Sequence, residues 1–177
     1  ERWDATRQYE RLGLDDEQVA DACREAEQGE VVEPVNFNSP GQVVIAGNAT
    51  AVMRAMEAAK ARGAKRAVTL PVSVPSHSRL MMGAAERLAE RLASVEVRMP
   101  DVPSVYTVDV KTHASPDGIR RALKEQLYKP VRWSETVRAM LASGVTTLVE
   151  CGPGKVLTSL NRPIERRPEL TMLAVED

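Results

Sequence analysis

The apolar positions of this chain change period several times, and each change marks an element. Val19, Ala22, Cys23 and Ala26 recur at three- and four-residue spacing, the stripe of an amphipathic helix. Asp15 stands just ahead of it with Gln18 three residues on, the pattern of a capping box, and Gly29 marks the stop. Two strand-like runs follow at 31–37 and 42–46, separated by Asn38-Ser39-Pro40-Gly41. Serine, proline and glycine there supply turn chemistry, so the pair predicts a β-hairpin. Gly47 closes it. Asn48 is a candidate cap for a helix over 49–62, striped by Val52, Met56 and Ala59 and stopped at Gly63. Lys65-Arg66 then leads into a strand at 67–70.

Leu70-Pro71-Val72-Ser73-Val74-Pro75-Ser76-His77-Ser78 reads as an apolar strand running into a proline turn that delivers one histidine. Neither proline can donate to a sheet ladder, so the turn leaves the strand in a fixed direction. A helix follows at once, with Leu80, Met81, Ala84, Ala85, Leu88 and Leu92 on one side and Glu86, Arg87, Glu90 and Arg91 on the other. Residues 105–110 alternate like a half-buried strand. Ser115-Pro116 opens a helix, as a cap followed by proline at the first position, with Ile119, Ala122, Leu123 and Leu127 inward. Tyr128-Lys129-Pro130-Val131 interrupts it. A helix at 134–142 stops at Gly144, and a short strand spans 146–150. The turn Cys151-Gly152-Pro153-Gly154-Lys155, a helix at 156–161 and a strand at 170–175 complete the order.

This order predicts an α/β fold. Helix, strand, strand, helix, strand becomes the split β-α-β, ferredoxin-like unit if one more strand precedes it. Residues ahead of Gly13 would have to supply that strand, but Thr6-Arg7-Gln8-Tyr9-Glu10-Arg11 is charged and weakly patterned, a poor candidate. No internal repeat is present.

With 177 residues, the chain can bury a real core. The formal net charge of −1 gives no electrostatic reason to expect nucleic acid or an anionic membrane as partner. Aromatic residues make up 3%, too few for base-stacking platforms. No run approaches the roughly 20 apolar residues of a membrane span. The two cysteines, Cys23 and Cys151, suit a reducing cytoplasm and cannot build a cysteine metal site. The opening Glu1-Arg2-Trp3-Asp4 is not a signal peptide, and without an initiator methionine it reads as a processed chain or a fragment.

Among groups that carry chemistry, His77 comes first, because histidine titrates near neutrality and this one lies between strand and helix. The plainer reading is a surface or hydrogen-bonded histidine. Gly152-Pro153-Gly154-Lys155 is not a phosphate loop: its glycines are two apart and Val156 follows the lysine. The glycines fit a tight strand-to-helix turn instead. His77 and His113 are far apart and no His-x-x-x-His or Cys-x-x-Cys spacing exists, so no metal is expected. A serine nucleophile would need a base such as His77 within reach. The strained elbow that presents such a serine is absent. Ser39, Ser76, Ser78, Ser115 and Ser134 all sit in turn or cap contexts, better read as local backbone satisfaction.

Several ordered segments resemble malonyl-CoA:acyl-carrier-protein transacylases. They are Pro34-Val35-Asn36-Phe37-Asn38-Ser39-Pro40-Gly41-Gln42-Val43-Val44-Ile45-Ala46-Gly47, Gly63-Ala64-Lys65-Arg66-Ala67 and the histidine motif Val72-Ser73-Val74-Pro75-Ser76-His77. Gln126-Leu127-Tyr128-Lys129-Pro130-Val131-Arg132-Trp133 and Glu150-Cys151-Gly152-Pro153-Gly154-Lys155-Val156-Leu157 follow in order. The resemblance implies a seryl-ester transfer of malonyl from coenzyme A to the phosphopantetheine thiol of an acyl carrier protein. It makes His77 the base and Gln126 the donor of a main-chain carbonyl that orients it. It sets Asn36 and Asn38 beside the ligand cleft, and Lys65 and Arg66 as steering charges for the acidic carrier, a solvated pair being the plainer alternative.

The resemblance also implies a division of the chain: 1–7 unassigned, 8–74 a ferredoxin-like subdomain, and 75–177 the closing part of a hydrolase-like parallel-sheet acyltransferase domain. No bound cofactor is expected, malonyl-CoA being substrate, and the location implied is cytoplasmic. The family's nucleophilic serine, carboxylate-pairing arginine and oxyanion loop have no counterpart here. The chain is therefore expected to be a C-terminal portion, inactive alone, with the missing N-terminal half as a partner. Rival readings are a non-catalytic carrier-protein or acyl-binding module and an acyltransferase domain of a polyketide synthase.

Overall fold

A computed structural model describes residues 6–70 and 74–175. The strand that the sequence pattern does not promise is present: β1, Thr6–Leu12, pairs antiparallel with β3 (Gln42–Asn48) on one side and β4 (Arg66–Leu70) on the other. The expectation that this stretch is a poor strand, left unassigned through residue 7, is thus corrected. Its charged side chains gave no alternation to read, whereas main-chain pairing along both edges holds it in place. With β2, Val32–Ser39, the strands form an antiparallel sheet ordered β2-β3-β1-β4. The histidine motif's first positions, Pro71, Val72 and Ser73, lie outside the described residues, as does Glu1-Arg2-Trp3-Asp4.

Two helices cover one face of this sheet. In α1, Asp16–Ala26, the expected capping box is formed: Asp15 accepts from the Gln18 N–H at 2.8 Å, and the Gln18 side chain accepts from the Asp15 N–H at 3.2 Å. Its buried residues are Val19, Ala22, Cys23 and Ala26, as the stripe predicts. In α2, Ala49–Ala61, the buried residues are Ala51, Val52, Ala55 and Ala59; Met56 is only half-buried. Both helices pack on Val32, Val43 and Ile45. The opposite sheet face buries Val35, Val44 and Ala46, so β3 is covered on both sides.

Asn48 does not cap α2. Its Oδ1 accepts from the Val31 N–H at 2.9 Å while its own N–H donates to the Val31 carbonyl at 2.8 Å. The strand consequently continues through Gly47 rather than ending there. A Cβ on Gly47 would collide with the Val31 carbonyl oxygen, so glycine permits close approach of two backbones.

Beyond β4, Ser78 leads into a short 3₁₀ turn, Arg79–Met81, and α3, Met82–Ala93. The expected stripe of α3 is sunk only at Ala85. The alternation at 105–110 is not a strand. The Tyr106 N–H donates to the Lys111 carbonyl and the Val110 N–H to the Tyr106 carbonyl, with Val110 at φ 59°, which makes a closed turn. Helix α4, Pro116–Glu125, starts at Ser115, whose hydroxyl accepts from the Gly118 N–H. Arg120 of α4 reaches the carbonyls of Leu92 and Val95, at 3.0 and 2.8 Å, and so satisfies the open end of α3.

The last layer contains α5, Trp133–Ala142, and α6, Val156–Ile164, beside a parallel pair, β5 (Thr147–Cys151) and β6 (Thr171–Val175). Val137, Leu141 and Ile164 form its small core. The turn between β5 and α6 is held by Glu150, whose carboxylate accepts from the Leu157 and Thr158 N–H groups at 3.0 and 2.8 Å. Those are orphan donors of the helix start. One strand face stays open, with Val149, Leu173 and Val175 exposed.

Ile45 is fully buried; its replacement by alanine should cost about 2–5 kcal/mol, read as a lower urea midpoint. The Thr158 N–H, with the other donors of the α6 start, lowers the Glu150 carboxyl below the usual carboxylate range. The carboxylate therefore stabilises the fold above the ordinary glutamate range, and that contribution disappears as pH falls through the lowered folded value. The melting temperature of Glu150→Gln should accordingly lie below the wild type near neutrality, and the gap should close in acid.

Candidate functional site

His77 is held by a turn and by a helix end. Pro75 and Ser78 are fully buried. The Ser78 hydroxyl donates to the Pro75 carbonyl at 2.7 Å, the Ser78 N–H donates to the same oxygen at 3.3 Å, and the Met81 N–H donates to the Ser78 carbonyl at 2.9 Å. His77 is the third residue of this reverse turn and has φ 65°, a left-handed conformation uncommon for any residue but glycine. Such a backbone persists only when its surroundings fix it.

What fixes it is the C-terminal end of α4. The His77 N–H donates to the Leu127 carbonyl at 2.9 Å, and Nδ1 lies 2.5 Å from the Gln126 carbonyl oxygen. Carbonyls at a helix end have no partner within the helix, and here two of them are taken by one histidine. A carbonyl oxygen can only accept, so the neutral ring must carry its proton on Nδ1. Nε2 is then the ring's lone-pair nitrogen, the one able to receive a proton. The carbonyl pole of a helix dipole is also the end suited to a ring that becomes positive during a reaction.

The segment after α4 reaches back to the sheet. Val131 donates to the Val35 carbonyl at 2.8 Å, and the Phe37 N–H donates to the Val131 carbonyl at 2.9 Å, bracketing Asn36. The register of β2 against β3 shifts between Pro34 and Asn36, and this bulge turns the edge strand toward Val131. His77, Gln126 and Asn36 are thus tied into one short network. Asn38 follows on the same strand; both asparagines are half-buried, and neither side chain makes a hydrogen bond to another described residue. Lys65 and Arg66 are elsewhere: β4 is the opposite edge of the sheet, with Arg66 paired to Leu12 at the end where Gln42 closes the hairpin. The Lys65 stem lies against Gly13.

The serines behave as local groups. Ser39 donates to Gln42, Ser78 to Pro75, and Ser115 caps α4, while Ser134 is buried within the first turn of α5. The sequence reading missed Leu127 and Glu150. The signal for Leu127 was a helix interrupted just before Pro130, which leaves carbonyls exposed. For Glu150 it was an acid at a strand end facing a helix start.

The acyl transferase domain family matches residues 6–169. The malonyl CoA-acyl carrier protein transacylase of Escherichia coli K12 is 58% identical over 153 residues, covering 86% of this chain and 50% of that protein. The Bacillus subtilis protein of the same name is 45% identical over 169 residues, covering 94% of this chain and 52% of its own length. The chain therefore spans about half the length of the curated relatives it matches. Among solved structures, an acyl carrier protein S-malonyltransferase from Vibrio cholerae superposes with a TM-score of 0.93 at 53% identity, over 98% of this chain and 56% of that one. A complex of a type II polyketide-synthase acyl-carrier protein with its malonyl-transacylase gives a TM-score of 0.94 at 51% identity, again over 98% and 56%. With an acyl transferase domain matched along nearly its whole length, this chain belongs to the acyl transferase family.

Proposed function

We propose that the chain is the C-terminal portion of a malonyl-CoA:acyl-carrier-protein transacylase and that it supplies the catalytic base. The observation that carries this reading is the His77 ring, fixed by a main-chain carbonyl with Nε2 left to accept a proton. A serine outside this chain attacks the malonyl thioester carbon while Nε2 takes the hydroxyl proton. The C–S bond breaks, and the proton passes from Nε2 to the departing coenzyme A thiolate. The carrier protein's phosphopantetheine thiol then gives its proton to Nε2 and attacks the seryl ester; the ester C–O bond breaks, the serine oxygen takes the proton back from Nε2, and malonyl leaves on the carrier thiol. Nδ1 keeps its proton on the Gln126 carbonyl throughout. A thiolate leaves more easily than an amide nitrogen, so an uncharged orienting group suffices here.

In the same reading, Asn36 and Asn38 on β2, whose side-chain amides make no hydrogen bond among the described residues, face ligand or bound water, and Lys65 and Arg66 meet the acidic carrier as steering charges. Residues 8–74, with β1 extending the unit to Thr6, form a ferredoxin-like subdomain; the strand order β2-β3-β1-β4 and the two helices on one face support that assignment. Residues 75–177 then close a hydrolase-like α/β subdomain. The exposed Val149, Leu173 and Val175 and the shallow stripe of α3 are covered by the remainder of the enzyme. The reaction takes malonyl-CoA as substrate, uses no bound cofactor and runs in the cytoplasm.

Incubated alone with malonyl-CoA, the 177-residue chain should gain no malonyl mass by intact-protein mass spectrometry. A malonylated serine in this chain would overturn the division of labour. In the full-length enzyme, His77→Ala should lower kcat by about three orders of magnitude or more, with folding checked by circular dichroism. A kcat within a few-fold of wild type would remove His77 from the chemistry.

A further inference from the structure

The second histidine, His113, is almost as buried as a core residue, its side chain 9% exposed. Its ring stands edge-on to Tyr106 with centroids 5.2 Å apart. Its other side lies so close to Gly118 that a Cβ there would be 3.1 Å from Nδ1. Nε2 is 3.2 Å from Oδ2 of Asp109. The geometry is that of a close contact rather than a hydrogen bond: Nε2 and Asp109 Oδ1 are buried with no hydrogen-bond partner among the described residues. Buried polar atoms without partners are costly and rare, so their concentration in one loop calls for a reason.

The loop grips both ends of the segment that orients His77. At one end, His113 packs on Gly118 in the first turn of α4, the helix whose C-cap is Gln126. At the other end, the Thr107 carbonyl accepts the Arg132 N–H at 3.1 Å, one residue after the Val131 bridge to β2. Between those two anchors run Gln126 and Leu127, whose carbonyls hold the His77 ring and amide. Asp109 lies between Thr107 and His113 within the same closed turn, so the Asp109–His113 contact fixes the spacing of the two anchors.

We propose that Asp109 and His113 are positioning residues for the transfer reaction: they clamp the 106–113 loop so that the Gln126 carbonyl holds His77 in its Nδ1–H form. This rests on the reading of His77 as the base. Neither residue touches the reacting atoms; both act through α4 and Arg132.

The test uses the full-length enzyme that carries this chain, labelled with ¹⁵N-histidine and with the His77 ring assigned through His77→Gln. At a pH where the ring is neutral, the wild-type His77 signal should show a proton on Nδ1. In Asp109→Asn and in His113→Ala the signal should move toward the mixed tautomers of a solvated ring, and kcat should fall roughly ten- to a hundredfold with KM for malonyl-CoA within about twofold. If the wild-type ring carries its proton on Nε2, the base assignment itself fails. If the wild-type ring is the Nδ1–H form and both variants keep it along with kcat, the base stands and the clamp is overturned. Should the variants not fold, hydrogen exchange in the wild type decides. The amides of Tyr106, Val110, Arg132 and His77 should exchange as one cooperative unit, and separate exchange of the loop amides from His77 would overturn the clamp.

Discussion

A carbonyl oxygen has lone pairs and no proton, and that asymmetry organises the site. Once the Gln126 carbonyl faces Nδ1 of His77, the tautomer of the neutral ring is settled without any charged partner. A carboxylate would orient the ring as well, but it would have to be desolvated there. A helix end supplies its carbonyls at no such cost, because they lack partners within the helix in any case. The same helix end takes the His77 amide through Leu127, so ring and backbone are fixed together. The left-handed backbone of His77 is kept by that double attachment.

The rest of the fold can be understood as support for this one contact. The sheet and its two helices bury the largest of the three apolar clusters among the described residues, which gives β2 a rigid base. Its bulged edge binds Val131, and the segment leading back to Gln126 inherits that rigidity. Arg79 adds a polar tie from the other direction: its guanidinium pairs with Glu27 at 2.6 Å, and its N–H donates to Glu33 at 2.8 Å, joining the start of the helix after His77 to α1 and β2. These are exposed charges of modest worth individually. Their value is geometric, since they draw the histidine turn against the sheet whose edge strand carries Asn36.

What the sequence disclosed divides by range of interaction. The capping box of α1 was legible because Asp15 and Gln18 are three residues apart and satisfy each other. The hairpin was legible from Ser39, Pro40 and Gly41 for the same reason. β1 was not legible, since its stability comes from partners about 35 and 60 residues away in sequence and its own side chains carry no alternation. At 105–110 the alternation was real and misleading: a bridge between Tyr106 and Lys111 closes a turn, and Val108 is buried there without a strand. Asn48 had the right residue type for a cap but a better use, a double link to Val31. His77 was singled out by residue type and position alone. Its acceptor lies 49 residues away and was named only through family resemblance; Thr107 and the burial of His113 had no local signature.

The glycine turn after β5 looks like a vacant cradle for a phosphate, yet its donors already have a ligand. Glu150 sits a few residues upstream of the helix whose first amides it binds. A carboxylate on so short a tether acts at a very high effective concentration, and it carries the same charge as any phosphate approaching from solution. An incoming nucleotide phosphate would have to evict a group that never diffuses away. The turn is thereby closed to a phosphate from solution and serves as a fixed junction between strand and helix.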